Sequence, residues 1–355
     1  MPQSQKKRLS DENLRAILDR QTPLLDVRAQ VEFDQGALPN ACNIAILNDD
    51  ERARVGTAYK QDGSEAANAL GHQLVSGNTK RTRVDAWKTF LDANPSAKVM
   101  CWRGGQRSQI AQRWLADQGY TVDRVAGGYK ALRNLCLEVL DQTPLETKPW
   151  WVVAGRTGVQ KTVLIKQLAC SIDLEHIAHH RGSAFGAHNT PQPAPASFEN
   201  SLAYSAVNHA HPILVLEDES RLIGRLALPN GWHERMKKSP LALIEASLEA
   251  RVDHIVAEYV TESLARGDER AVLEARYRSA LQRISRRLGG VLHQKIDTLI
   301  AQAFADTGSH QAWVHALLSD YYDPMYDYQL STKNARVKFR GSLDEVSEFL
   351  AARNK

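Results

Sequence analysis

Val99-Met100-Cys101-Trp102-Arg103-Gly104-Gly105-Gln106-Arg107-Ser108 is an apolar run that ends in a cysteine and opens into a Gly-rich, arginine-bearing turn. Five residues separate Cys101 from Arg107. At that spacing a tight loop turns several backbone N–H groups over the sulfur, and a helix behind it adds its N-terminal partial positive charge. Such surroundings favour the thiolate, the form that attacks sulfur, selenium or phosphorus centres. Gly104 and Gly105 supply the φ freedom needed to curl the backbone around a small anion. A buried structural cysteine, the commonest fate of a free thiol, has no need of two arginines and two glycines so close by. The stretch therefore reads as an anion cradle around a thiolate.

Short apolar runs alternate with amphipathic stretches on either side of this loop. Pro23-Leu24-Leu25-Asp26-Val27-Arg28 reads as a buried strand whose terminal charged pair, Asp26 and Arg28, is structural. Further strands are expected at Cys42 to Ile46, Lys98 to Cys101 and Thr121 to Val125. Helices are expected from Asp11 to Arg20 with Ser10 as cap, from Val84 to Leu91, from Arg107 to Gln118 and from Tyr129 to about Leu140. Asp49 to Ala69 is polar and mostly helical or irregular. Alternation of this kind builds a parallel α/β sheet, whose reactive loops lie at the carboxyl ends of strands.

Residues 143–149 carry two prolines and no apolar periodicity, and read as a linker. A second α/β domain then opens with the apolar strand Trp150 to Ala154, followed by Gly155-Arg156-Thr157-Gly158-Val159-Gln160-Lys161-Thr162 and a helix. That is the layout of a P-loop, in which backbone N–H groups and a lysine hold phosphates. Gln160 stands where the pattern G-x-x-x-x-G-K-[ST] has glycine, so its side chain crowds the phosphate approach or forces different dihedrals. The strand Ile213 to Leu216 runs into Glu217-Asp218-Glu219, where a P-loop protein keeps its metal-side acid. Arg181 and Ser183 lie in a Gly-flanked basic turn suited to an anionic group, whereas the adjacent His179 and His180 lack an acid at ligand spacing, so no metal is assigned to them. The remainder is mainly helical, with short strands at Leu241 to Ile244 and Val337 to Phe339. Its helix from Glu269 to Leu288 carries Arg270, Arg276, Arg278, Arg283, Arg286 and Arg287, equally compatible with a solvated face and with a surface for RNA phosphates.

Composition bounds these readings. The length of 355 residues suits two domains, each able to bury its own core. A formal net charge of +4 permits a polyanionic partner without requiring one. Cys42, Cys101, Cys136 and Cys170 form neither a CxxC pair nor a metal-ligand set, which points to a reducing compartment and a cytoplasmic location. No apolar run reaches the ~20 residues of a membrane helix, and the first ten residues do not read as a signal peptide.

The first 140 residues resemble a rhodanese domain, carried by Asp26-Val27-Arg28, Glu32-Phe33, Gly36 to Asn43 and the Cys101 loop. The C-x5-R spacing is shared with rhodanese-like phosphatases, so the loop alone leaves the transferred atom open. A rhodanese-like domain (1–142), a linker (143–149) and a P-loop-like domain with a helical C-terminal region (150–355) follow in that order. With Tyr59-Lys60-Gln61, Gly127 to Arg133, Arg181 to Gly186, Glu217 to Gly224 and Asp320 to Pro324, this order resembles the bacterial tRNA 2-selenouridine synthases.

The resemblance implies a transferase acting on the wobble 2-thiouridine of tRNAs for lysine, glutamate and glutamine. Sulfur is geranylated with geranyl diphosphate, and the S-geranyl group is then exchanged for selenium from selenophosphate. It implies that Cys101 carries selenium, as a Cys–Se adduct, and that Arg103, Gly104, Gly105 and Arg107 hold selenophosphate. It assigns Gly155, Thr157, Gly158, Lys161, Thr162, Arg181, Ser183 and Arg221 to the diphosphate, with Glu217, Asp218 and Glu219 on the acid or metal side. No cofactor is held tightly, selenophosphate and geranyl diphosphate being co-substrates. Magnesium is admitted, as is selenophosphate synthase as a further partner, and no membrane is involved. The alternative is a Cys-dependent rhodanese-type sulfurtransferase or phosphatase with an RNA-binding P-loop domain. A non-enzymatic adaptor would need neither Cys101 nor Arg107.

Overall fold

The computed structural model describes residues 14–141, 147–188 and 190–355. Ser10 and most of the expected linker lie outside the described residues, and residues 14–19 are helical. The chain divides into two compact units, Met1–Pro144 with Pro193–Asn208, and Leu145–Gln192 with His209–Lys355.

The first unit is built on a parallel sheet of β1 (Leu24–Asp26), β2 (Ala41–Asn43), β3 (Lys98–Met100) and β4 (Asp123–Arg124), in the order β2-β1-β3-β4. Leu24, Leu25 and Asp26 are fully buried, as expected of a central parallel strand covered on both faces. The helices are α1 (Gln30–Asp34), α2 (Asp49–Leu74), α3 (Gly77–Ala93), α4 (Gln106–Ala116) and α5 (Gly128–Asp141). Asn48 and Glu51 form a capping box that starts α2, and Gly63, at φ 87°, kinks it. Leu25, Val27, Trp87, Val99, Trp114 and Leu115 lie in one core cluster between sheet and helices. Register pairs Asp26 with Met100, so β1 and β3 end side by side and bring Arg28 and Cys101 out at the same edge.

One segment departs from the expected boundaries. The helix Pro195–Val207, placed by sequence order in the second domain, belongs to the first unit. Its buried Asn200 accepts from Arg133 at 3.0 Å and donates to the Ala37 carbonyl at 2.9 Å, which fixes it against α5 and the loop after α1.

The second unit carries the parallel sheet β10-β9-β5-β6, formed by β5 (Trp150–Ala154), β6 (Leu214–Glu217), β9 (Leu241–Ile244) and β10 (Val337–Gly341). β5, β6 and β9 are wholly buried, matching their unbroken apolar runs. β5 leads through the Gly155–Gln160 loop into α6 (Lys161–Gln167), and α7 (Leu174–Ala178) follows. The hairpin of β7 (Leu222–Ile223) and β8 (Leu226–Ala227) follows β6. A helical region after β9 buries its own cluster, with Tyr277, Leu281, Ile300, Trp313 and Leu318 at its centre. The α/β architecture expected for both halves is the one observed. Among the described residues no helix is long and apolar enough to cross a membrane.

Candidate active sites

In the first unit Cys101 directly follows β3 and is buried, with Sγ 3.3 Å from the Ser108 hydroxyl. The carbonyls of the loop are spoken for. The Cys101 and Trp102 oxygens accept from the Tyr129 and Lys130 amides at 2.9 Å each, Gly104 O accepts from Arg124 at 2.9 Å, and Gly105 O accepts from Ser108 Oγ at 3.0 Å. In a planar trans peptide the following N–H points opposite to the carbonyl. The amides of Trp102, Arg103, Gly105 and Gln106 therefore face away from these partners, and among the described residues none of them donates to a protein acceptor. The cradle thus arises because neighbouring elements hold the Cys101, Trp102 and Gly104 carbonyls.

Gly128, at φ +62°, is where this fit is tightest, since a Cβ there would lie 2.2 Å from Cys101 O and 2.4 Å from Gly104 N. Gly104, at φ +65°, faces the same turn from the other side, and a Cβ on it would lie 2.8 Å from Val125 O.

Arg107 begins α4 and forms a bidentate pair with Glu32, one contact at 3.0 Å. Burial pushes the Glu32 carboxyl up, but hydrogen bonding to Arg107 and its charge more than offset this and hold it below its ordinary value. Two of the five Arg107 N–H donors are used on Glu32, one from each terminal nitrogen, which leaves three for an anion. Glu32 is itself held by Arg28, which donates to the Glu32 carbonyl at 3.1 Å and to Gly36 O at 2.8 Å. Arg28 and Asp26 form a fully buried pair at 2.6 Å, with the guanidinium 3.9 Å from the Tyr129 ring centroid. Arg103 is exposed at the loop's surface. Cys101, Arg103, Gly105 and Arg107 line a cavity of about 790 Å³ whose other walls come from α2, α4 and the residues before α2.

In the second unit the loop after β5 keeps P-loop form. Gln160 adopts the left-handed conformation, φ 63° and ψ 36°, that glycine takes without strain. The departure from the glycine pattern is thus absorbed in the backbone, at a cost of about 1–2 kcal/mol. Lys161 Nζ lies 2.8 Å from Gly155 O, and Thr162 Oγ1 donates to Glu175 at 2.6 Å. The loop is braced from the helical region, where buried Arg251 pairs with Asp323 at 2.6 Å and donates to Thr157 O at 3.3 Å. His254 Nδ1 lies 3.2 Å from Gly158 O.

The acids beyond β6 divide. Asp218 pairs with Lys333 at 2.7 Å. Glu217 is buried with Oε1 lacking a partner, and burial together with the charges of Asp173 and Glu175 pushes its carboxyl well up. Glu219 is pushed up to about 8 by burial and by the Glu175 charge, against the pull of Lys161. Gly182, at φ +67°, packs against Glu175 and Glu219, so the Arg181–Gly186 turn meets the Glu175 carboxylate that Thr162 also bonds.

Of the residues assigned to a diphosphate, Gly155, Gly158, Lys161 and Thr162 share this centre. Arg181 pairs through Nε with Glu258 at 2.8 Å and stacks its guanidinium on Tyr259 at 4.8 Å. Ser183 lies 3.3 Å from the Tyr259 hydroxyl, and Arg221 is exposed beside the β7–β8 hairpin. The arginine helix, Arg270–Leu288, is partly committed to ion pairs, Arg270 with Asp306, Arg276 with Asp268 and Arg278 with Asp297. Arg283, Arg286 and Arg287 are exposed. Three pairings escape the sequence, although Glu32 itself stands in the Glu32-Phe33 motif. Glu32 and Glu175 act across gaps of 75 and 13 residues, and Arg251 meets Asp323 across 72, so no local pattern marks them.

Two family models match the chain, "tRNA 2-selenouridine synthase AAA domain" over residues 148–355 and "Rhodanese-like domain" over residues 10–135. The chain is similar to proteins named tRNA 2-selenouridine synthase. That of Marinobacter nauticus is 43% identical, across 97% of this chain and 98% of the relative. That of Shewanella sediminis is 42% identical, across 92% and 93%. That of Alcanivorax borkumensis is 44% identical, across 94% and 96%.

Proposed function

The chain belongs to the tRNA 2-selenouridine synthase family, and we propose that it converts 2-thiouridine at the wobble position of tRNA to 2-selenouridine. The observation that carries this reading is the Cys101 loop, whose amides face away from their carbonyls' partners around a thiol that lines a cavity. Selenophosphate is the anion we assign to it. Arg103, Arg107 and the loop amides hold its phosphoryl oxygens, and the Cys101 thiolate takes the phosphoryl group so that selenium leaves at the selenide level for the base.

The second unit supplies the preceding step. Its loop binds the diphosphate of geranyl diphosphate through Lys161 and the backbone N–H groups, and the thiocarbonyl sulfur of the base displaces that diphosphate. Alkylation matters because thiocarbonyl sulfur leaves poorly, whereas an alkylated thiol is a competent leaving group. No three His, Cys, Asp or Glu side chains converge as a metal cage among the described residues. The oxygens of Thr162, Glu175 and Glu219 suit a hard cation held chiefly by substrate phosphates, and magnesium there would supply charge neutralisation of the diphosphate. The tRNAs proposed are those for lysine, glutamate and glutamine, and selenophosphate synthase is the proposed supplier of the selenium donor.

The phosphatase alternative needs a general acid beside the loop. Glu32 is the one carboxyl lining the cavity among the described residues, and Arg107 holds it ionised, which favours the transfer reading. The test is mass spectrometry of nucleosides from 2-thiouridine tRNA incubated with the protein, geranyl diphosphate and selenophosphate. Selenouridine that forms only when both co-substrates are present supports the reading. Phosphate release without any change in the nucleosides would sink it.

A further inference from the structure

The cavity beside Cys101 has two kinds of wall. The loop contributes Cys101, Arg103 and Arg107, whereas α2 with the residues around it and α4 contribute Ile46, Val55, Ala67, Val75, Ile110 and Trp114. Ala67 and Val75 are buried under relative exposures of 5% and 2%. An anion such as selenophosphate uses only the first wall. At about 790 Å³ the space is that of a small-molecule pocket rather than of a single tetrahedral ion.

We infer that the apolar wall is a binding site for the prenyl chain of the S-geranylated base while selenium replaces sulfur. This rests on the proposed function. At the moment of exchange the carbon bearing sulfur must lie within reach of the selenium released beside Cys101, so the ten-carbon chain on that sulfur must be accommodated next to Cys101 as well. Val55, Ala67, Val75 and Ile110 offer it a surface out of water. Lys60 and Arg52, which line the same cavity from α2, are placed to meet the RNA backbone. The exchange balances without an oxidant or reductant. The Cys101 thiolate takes the phosphoryl group of selenophosphate, so that the P–Se bond breaks with its electron pair on selenium. Selenium at the selenide level forms the C2–Se bond, the C2–S bond breaks with its electron pair on geranylthiolate, and water hydrolyses the cysteinyl phosphate. Net, water gives its oxygen to phosphate and its two hydrogens to the thiol and to N3 of the base.

The test uses the full chain, selenophosphate and tRNA already carrying S-geranyl- or S-methyl-2-thiouridine, and reads KM and kcat for selenouridine. The expected result is a KM lower by at least about tenfold for the geranyl substrate. Ala67→Phe and Val55→Phe, each confirmed as folded by its thermal melt, narrow that ratio towards one. Equal KM values for the two substrates in the wild type, or a ratio that survives both variants, overturns the inference. A second arm titrates geraniol into the full chain by calorimetry. Binding to the wild type that is lost in Ala67→Phe upholds the cavity even if no S-alkyl tRNA is converted, in which case the proposed function fails instead. No geraniol binding to the wild type counts against the cavity.

Discussion

Replacing Gly128 by alanine is expected to destroy the Cys101 loop. The added Cβ falls 2.2 Å from Cys101 O, 2.4 Å from Gly104 N and 3.0 Å from Arg103 C, all backbone atoms that cannot swing aside. Carbon and oxygen approach to about 3.3 Å at closest, so the loop must retreat by roughly 1 Å. That movement breaks the hydrogen bonds from Tyr129 N and Lys130 N to the loop carbonyls, both at 2.9 Å. Two such bonds at about 1 kcal/mol each, with about 1–2 kcal/mol for alanine at φ +62°, sum to about 3–4 kcal/mol. A loop misplaced by about 1 Å also loses on the order of 10²-fold in rate. Gly105→Ala is the control, because Gly105 has a negative φ and nothing within 4 Å of its Cβ position. Urea unfolding followed by fluorescence, with selenouridine formation alongside, is the assay. Gly105→Ala is expected to stay within about 0.5 kcal/mol of wild type. A Gly128→Ala protein with unaltered midpoint and turnover, or a Gly105→Ala protein equally destabilised in urea, would refute the packing argument.

Glu32→Gln leaves the half-buried Arg107 guanidinium without its counter-charge, and a loss of about 1–3 kcal/mol in urea unfolding is expected; a loss under 0.5 kcal/mol contradicts the pairing. Gln160→Gly relieves the left-handed strain at φ 63° but adds unfolded-state entropy, so stability should move by less than about 1 kcal/mol while geranylation is retained. Lost geranylation in that variant would mean the Gln160 side chain itself is required. Glu219, at about 8 in the folded chain against 4.5 for a free glutamate, binds a proton on folding between those values. Stability from this group is fully present below about pH 4.5 and is lost as pH rises through 8. Unfolding midpoints measured between pH 5 and pH 8.5 should fall less steeply in Glu219→Gln than in wild type, and identical slopes would count against the buried carboxylate cluster.

What could be read from the chain depended on how local the signal was. β3 with the Cys101 loop, and β5 with the phosphate loop, announce themselves because an apolar run, glycines and a basic residue fall within ten positions. β9 was legible for the same reason, a short apolar run between polar flanks. Gly127-Gly128-Tyr129 and Asp320 to Pro324 stood out as motifs, but their purpose is three-dimensional: the first packs under the Cys101 loop, and the second supplies Asp323 to Arg251 beneath the phosphate loop. The helix Pro195–Val207 groups with the first unit although the chain on both sides of it belongs to the second, because sequence order says nothing of a segment that crosses back. Arg181 pairs with Glu258, 77 positions later on the turn of helix Val256–Thr261, a contact that no local pattern in the sequence marks.

The division of labour between the two units is the central claim, and one experiment meets it directly. Nucleosides from 2-thiouridine tRNA treated with both co-substrates are compared for Cys101→Ala and Lys161→Ala. The account predicts that Cys101→Ala accumulates S-geranyl-2-thiouridine without selenouridine. Lys161→Ala should leave 2-thiouridine unchanged, yet convert tRNA that is supplied already geranylated. Selenouridine formed at wild-type rates by Cys101→Ala, or the loss of both steps in each variant, would contradict it.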